Sequence, residues 1–128
     1  MTHAHAGDGL GAAAWRGTRW GVLGVTRPAR EAQESGHPIA VANARNAVNH
    51  AWTFVTSIVV VAVAVPLVVT LVNAVAGLAA PASWMISFPV LGGMLGLAIN
   101  SLVHASRGAR AAERGEVYRV PQTIPFTR

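Results

Sequence analysis

The chain contains no cysteine. That excludes a disulfide framework, thiolate metal sites, iron–sulfur ligation and a cysteine nucleophile. Lysine is absent as well: all ten basic residues are arginine. With the abundance of Ala, Val and Gly, this is the imprint of codon bias in a GC-rich genome. Charge of either sign is scarce, at 12% of 128 residues against roughly 25% in an ordinary soluble domain. A water-soluble globular fold is therefore excluded, and so is disorder along the whole chain. Enzyme signatures are missing too. There is no Gly-rich phosphate loop, no paired His-Glu metal motif and no Ser-His-Asp set. The net charge of +5 does not read as nucleic-acid binding, because the arginines flank apolar segments and form no dense patch.

What the chain has in quantity is apolar residues, 52% of the total, concentrated between Ala51 and Val103. Two charge-free runs stand out, 51–72 and 84–103, of 22 and 20 residues. At about 1.5 Å per residue the first measures about 33 Å, enough to cross a hydrocarbon core of about 30 Å. Valine richness suggests a strand, but a lone strand in lipid leaves its backbone unpaired, so helix is expected. Pro66 should bend the first helix. Asn73 to Ser83 reads as a short uncharged connection. The expected fold is an all-α membrane protein, a two-helix transmembrane hairpin with polar, partly extended N- and C-terminal arms. The divisions are an arm over 1–37, the hairpin over 38–105 and a tail over 106–128.

The arms carry the arginines and the connection carries none. Positive residues stay in the cytoplasm, so both termini are expected inside, in a bacterial inner membrane, with the connection outside. No Asp, Glu or Arg lies within either run, which weakens pump and transporter readings. His50 and His104 sit at the cytoplasmic edge, the spacing of a possible haem or chlorophyll-type ligand pair. With no aromatic cage or second histidine pair, they are read as interfacial hydrogen-bonding residues and no cofactor is expected. His3-Ala4-His5 is read as part of a flexible, solvated terminus.

Gly92, Gly96, Asn100 and His104 recur every four residues and share one helix face. Small residues let helix backbones approach closely, and Asn can hydrogen-bond across the contact. Asn49, Thr53 and Ser57 recur in the same way on the first run. The simplest expectation is that the two stripes face each other, Gly92, Gly96 and Asn100 against Thr53 and Ser57. The alternative is that the glycine stripe receives another subunit.

The arms offer two further motifs. Trp15, Arg16, Arg19 and Trp20 combine indoles and guanidiniums, suited to a lipid interface or to a partner subunit. Gly17, Gly21 and Gly24 argue against a strong helix there, and Pro28 and Pro38 punctuate the chain. Val117 to Phe126 alternates apolar side chains on an extended backbone, with Tyr118 and Phe126 expected to dock on a neighbour.

Trp84-Met85-Ile86-Ser87-Phe88-Pro89-Val90-Leu91-Gly92, followed by Gly96-Leu97-Ala98-Ile99, resembles the second helix of the bacterial two-transmembrane (2TM) domain family. His50 with Phe54 resembles the start of that family's first helix. Asn100 stands where the family often has histidine, and the middle of the first run is aliphatic where the family often has asparagine. The resemblance implies a hairpin module with no defined activity, and no catalytic residue carries over.

Two function classes follow. One is a non-enzymatic accessory or assembly subunit of a larger membrane complex, with lipid and the complex as partners. The other is a phage holin-like protein that self-associates and permeabilises the membrane. The topology has a direct check. In intact cells an impermeant maleimide should label Ala79→Cys and spare Arg110→Cys; the reverse pattern overturns the orientation.

Overall fold

The structure is a computed structural model. It describes the backbone of residues 2–77, 80–121 and 123–126, and the side chains of 9–77, 85–121 and 123–126. The side chains of His3, His5, Ala79 and Trp84 fall outside that set. Among the described residues four α-helices follow one another: α1 Thr2–Gly17, α2 Gly21–Ser35, α3 Pro38–Ala76 and α4 Ala80–Glu113. A 3-10 turn, Thr18–Trp20, joins α1 to α2. After Gly115, residues 116–121 and 123–126 form a tail outside any helix or strand. No strand occurs among the described residues.

The two long helices form the hairpin. α3 has 39 residues and α4 has 34, about 58 and 51 Å at 1.5 Å per residue, against a hydrocarbon core of about 30 Å. The charge-free runs lie inside them. Val59, Val63, Leu67 and Leu71 of α3, like Phe88, Leu91, Leu95 and Ile99 of α4, point outward and exposed. In water such a surface would drive aggregation; in lipid it is the solvated state. Both helices are long and apolar enough to cross a membrane.

The expected connection of residues 73–83 is shorter in the structure. α3 continues to Ala76 and stops at Gly77, whose left-handed backbone (φ 60°) lets its N–H reach Asn73 O at 3.0 Å. α4 starts at Ala80. Alanine is the strongest helix former, so an Ala-rich link is recruited from both sides. At the other end α4 runs past Ala105 to Glu113, so residues 106–113 of the expected tail are helix.

The excess length of both helices projects on the side that carries the termini. There α1 and α2 pack against them in a small bundle. Each helix contributes a stripe of buried residues, nearly all small: Ala12 with the one large ring, Trp15, on α1, Val25, Ala29 and Ala32 on α2, Ala40, Ala44, Ala47 and Ala51 on α3, and Ala105, Ala109 and Ala112 on α4. Steps of three and four keep each stripe on one face. Alanine side chains let the axes approach toward the near end of the usual range of about 8–10 Å.

The N-terminal arm is therefore helical, contrary to the expectation drawn from its glycines and from Pro28. The glycines serve the packing. Gly17 and Gly24 lie back to back where α1 and α2 cross, and a Cβ on either would strike the other's backbone. Gly21 turns the chain at φ 74°. Pro28 lies inside α2, and the buried stripe outweighs the hydrogen bond it forfeits. On α4, Gly108 passes directly beneath the Trp15 ring, which occupies the space of a Cβ. Gly108→Val should overpack this contact and lower stability by about 1–3 kcal/mol. Thermal unfolding in mild detergent, followed by near-ultraviolet circular dichroism, would read the loss, while membrane insertion should be unchanged.

Candidate functional site

The most chemically structured region is the junction between the bundle and the apolar runs of α3 and α4. Trp15 is fully buried there, held on Gly108 by the crossing of α1 and α4. Its Nε1–H donates to Asn43 Oδ1 at 3.2 Å. The same oxygen accepts the Tyr118 backbone N–H at 3.0 Å, and Asn43 Nδ2 donates to Glu116 O at 2.9 Å. One buried amide on α3 thus fastens α1 and the tail together.

Tyr118 then meets the edge of Trp15, with ring centroids 5.4 Å apart. Its hydroxyl shares a 2.8 Å hydrogen bond with His104 Nδ1. His104 faces His50 edge-on at 5.8 Å, and His50 Nε2 shares a 3.1 Å hydrogen bond with Ser101 Oγ. The two histidines do face each other, as their positions suggest, and each engages a hydroxyl through one ring nitrogen. No group of three or more His, Cys, Asp or Glu side chains that could hold a metal occurs among the described residues.

The tail continues along α3 toward the apolar run. Asn46 Nδ2 donates to Tyr118 O at 2.8 Å, and Thr53 Oγ1 accepts the Ile124 N–H at 3.1 Å. Within the tail the Phe126 N–H reaches Ile124 O at 3.0 Å and Thr123 Oγ1 donates to Val120 O at 2.8 Å; side-chain amides and a hydroxyl on α3 serve other backbone groups of the segment. A second tie, Arg16 to Glu113 at 2.6 Å, joins α1 to α4. Both side chains are half exposed, so the pair contributes at most about 1 kcal/mol.

Between α3 and α4 a cleft of about 190 Å³ opens at the edge of the apolar runs, roofed by Val120, Pro121 and Thr123. His50, Thr53, Ser57 and Asn100 all line it, so part of the two polar stripes does share a space. The stripes do not interlock. Thr53 and Ser57 bond back to carbonyls of their own helix, Asn49 O at 2.7 Å and Thr53 O at 2.8 Å. Gly92 and Gly96 have nothing within 4 Å of where a Cβ would stand. Asn100 is exposed, and its side chain has no partner among the described residues.

The residues read from the sequence as docking elements divide. Trp15 is interior, so it is unavailable to a partner. Tyr118 belongs to the same junction, half-buried. Arg16 and Arg19 tie α1 and the turn to α4, Arg19 donating to Ser106 Oγ at 3.3 Å. Trp20 stays on the surface, and Phe126 is partly exposed beside Trp52. The tail docks, but on this chain's own α3. Asn43, Asn46, Ser101 and Gly108 escape the sequence reading. The spacing Asn43, Asn46, Asn49 was the visible signal, a polar stripe on a helix otherwise made of small apolar residues.

No family model, curated protein or solved structure matches the chain.

Asn43→Ala should leave the Trp15 N–H, the Tyr118 N–H and the Glu116 carbonyl unpaired, each costing about 1–3 kcal/mol where it stays buried. The tail should then detach. Trypsin cleavage after Arg119, followed by mass spectrometry, is expected to be markedly faster in the variant; cleavage at the parent rate would show that Asn43 does not hold the tail.

Proposed function

We propose that this chain is a non-enzymatic small integral membrane protein, an accessory or assembly subunit of a larger complex in the bacterial inner membrane, with both termini in the cytoplasm. The observation that carries the reading is the open face of α4. Among the described residues no side chain lies over Gly92 or Gly96, and Asn100, exposed at the cleft between α3 and α4, continues that face with no side-chain partner among them. An amide at the edge of a hydrocarbon core is unfavourable unless something bonds to it. A neighbouring transmembrane helix supplies both close packing over the glycines and a bond to the amide.

The orientation rests on charge. The arginines lie on the bundle and tail side of the hairpin, and arginine-bearing segments are retained in the cytoplasm. The resemblance to the 2TM family agrees with a hairpin module that acts through contacts. A holin-like assembly would use the same face against a second copy, and the test separates the two.

Gly96→Leu fills space that is empty within the chain, so the isolated protein should keep its stability within about 0.5 kcal/mol. Pull-down in mild detergent should lose the partner complex. On native gels, retention of the complex at parental mobility would overturn the glycine face as the contact. Loss of a homo-oligomer instead, with depolarisation of cells expressing the parent chain alone, would identify self-association.

A further inference from the structure

The turn between α1 and α2 lies deeper than its place in the sequence suggests. Only Gly36 and His37 separate α2 from α3, and a link that short makes the two helices antiparallel neighbours. Equal steps away from the link put Leu23 level with His50 and Trp20 level with Thr53. The cleft beneath the turn agrees: Thr18 and Gly21 line it with Phe54, Ala98 and Leu102. Those last three belong to the charge-free runs. At 1.5 Å per residue, Phe54 lies about 5 Å and Ala98 about 8 Å inside the ends of their runs. An interfacial segment rests about 5–10 Å into the headgroup–acyl boundary.

The side chains at this level fit that depth. Leu23 is 88% and Trp20 84% exposed, more than any other large hydrophobic among the described residues. Arg19 sits in the same turn, yet its guanidinium reaches Ser106, beyond Val103 at the end of the second run. That is how an arginine keeps its charge in the headgroups while its stem lies in the apolar layer. The far end of α2 carries the exposed pairs Arg27–Glu31 and Arg30–Glu34, which belong in water. The tail arrives at the same level independently. Ile124 bonds Thr53, and the Phe126 ring lies 6.3 Å from Trp52.

We propose that Trp20, Leu23, Trp52, Ile124 and Phe126 form an apolar collar inserted in the headgroup–acyl boundary of the bilayer, with phospholipid as its occupant. The collar is continuous with the lipid-facing surface of the two long helices, which is what commits it to lipid. It rests on the reading that α3 and α4 cross the membrane. Indoles favour this layer, so the collar fixes how far the bundle stands from the membrane.

The cysteine-free chain permits a test by single nitroxide labels. Leu23→Cys and, separately, Ile124→Cys are labelled and reconstituted into vesicles of phosphatidylcholine and phosphatidylglycerol. Val63→Cys serves as the mid-membrane reference and Glu31→Cys as the aqueous one. Power saturation compares collisions with oxygen, which concentrates in lipid, and with a water-soluble nickel chelate. Both collar labels should favour oxygen, at depths between the two references. Nickel-dominated collisions at both collar positions overturn the collar, and an oxygen-dominated Val63→Cys label in the same set leaves the membrane reading standing. Nickel access at Val63→Cys overturns both. Shielding from both colliders with spin–spin broadening means that a second copy covers the turn, which also overturns lipid as occupant.

Discussion

The organisation of the polar end depends on one indole ring and the amide that holds it. Trp15 fills the space where α1 meets α4, lying on Gly108, and Asn43 takes its N–H. Full burial of a tryptophan removes about 150–250 Å² from water, roughly 4–6 kcal/mol at 25 cal/mol per Å². Burial alone would leave the ring free to slide; the hydrogen bond fixes its orientation. The amide's orientation is fixed in turn, because two N–H groups point at Oδ1 and a carbonyl faces Nδ2. Reversed, it would bring donor to donor and acceptor to acceptor.

From that constraint the rest of the bundle follows. α3 sets Asn43 against Trp15 and the tail, lays His50 5.9 Å from the same indole, and otherwise buries a stripe of alanines. The tail gains a hydrogen-bonded track and brings Tyr118 to His104, so the junction closes over the membrane edge of α4. The arms are parts of one folded unit with the hairpin. Isolated helices as short as α1 and α2 are marginal in water; their stability comes from the stripes they bury.

The hairpin was legible because lipid leaves a chain few choices. Twenty or so apolar residues without charge must be helical to satisfy their backbone, and the arginines frame them. The arms were not legible because their signal is written in alanine and glycine. Alanine is too weakly apolar to mark a core stripe against a background already rich in it. Glycine reads as a helix breaker until the neighbour that needs its missing side chain is known, as Trp15 is for Gly108. Trp15 and Trp20 have nearly the same local composition, yet one is interior and the other exposed; between them α1 ends and the chain passes into the 3-10 turn Thr18–Trp20. The spacing of Gly92, Gly96 and Asn100 established a shared face, but spacing says nothing about which helix lies opposite.

Two asparagines on the long helices show how the chain divides its interactions. Asn43 is buried and makes three hydrogen bonds inside the fold. Asn100 stands three residues from the end of its apolar run and makes none among the described residues. The polar end closes on itself, with Asn43 and Asn46 engaged by Trp15 and the tail. The membrane end stays open: its helices carry their large side chains outward and keep one face of glycines and an amide clear. A chain stabilised only by its own hairpin has no need of bare backbone at Gly92 and Gly96 and would gain from an apolar residue at Asn100, which removes an amide from lipid. On the proposed reading a second helix against that face accounts for its composition, and the bundle, tied to α4 through Trp15 on Gly108 and through Arg16, sets where α4 stands.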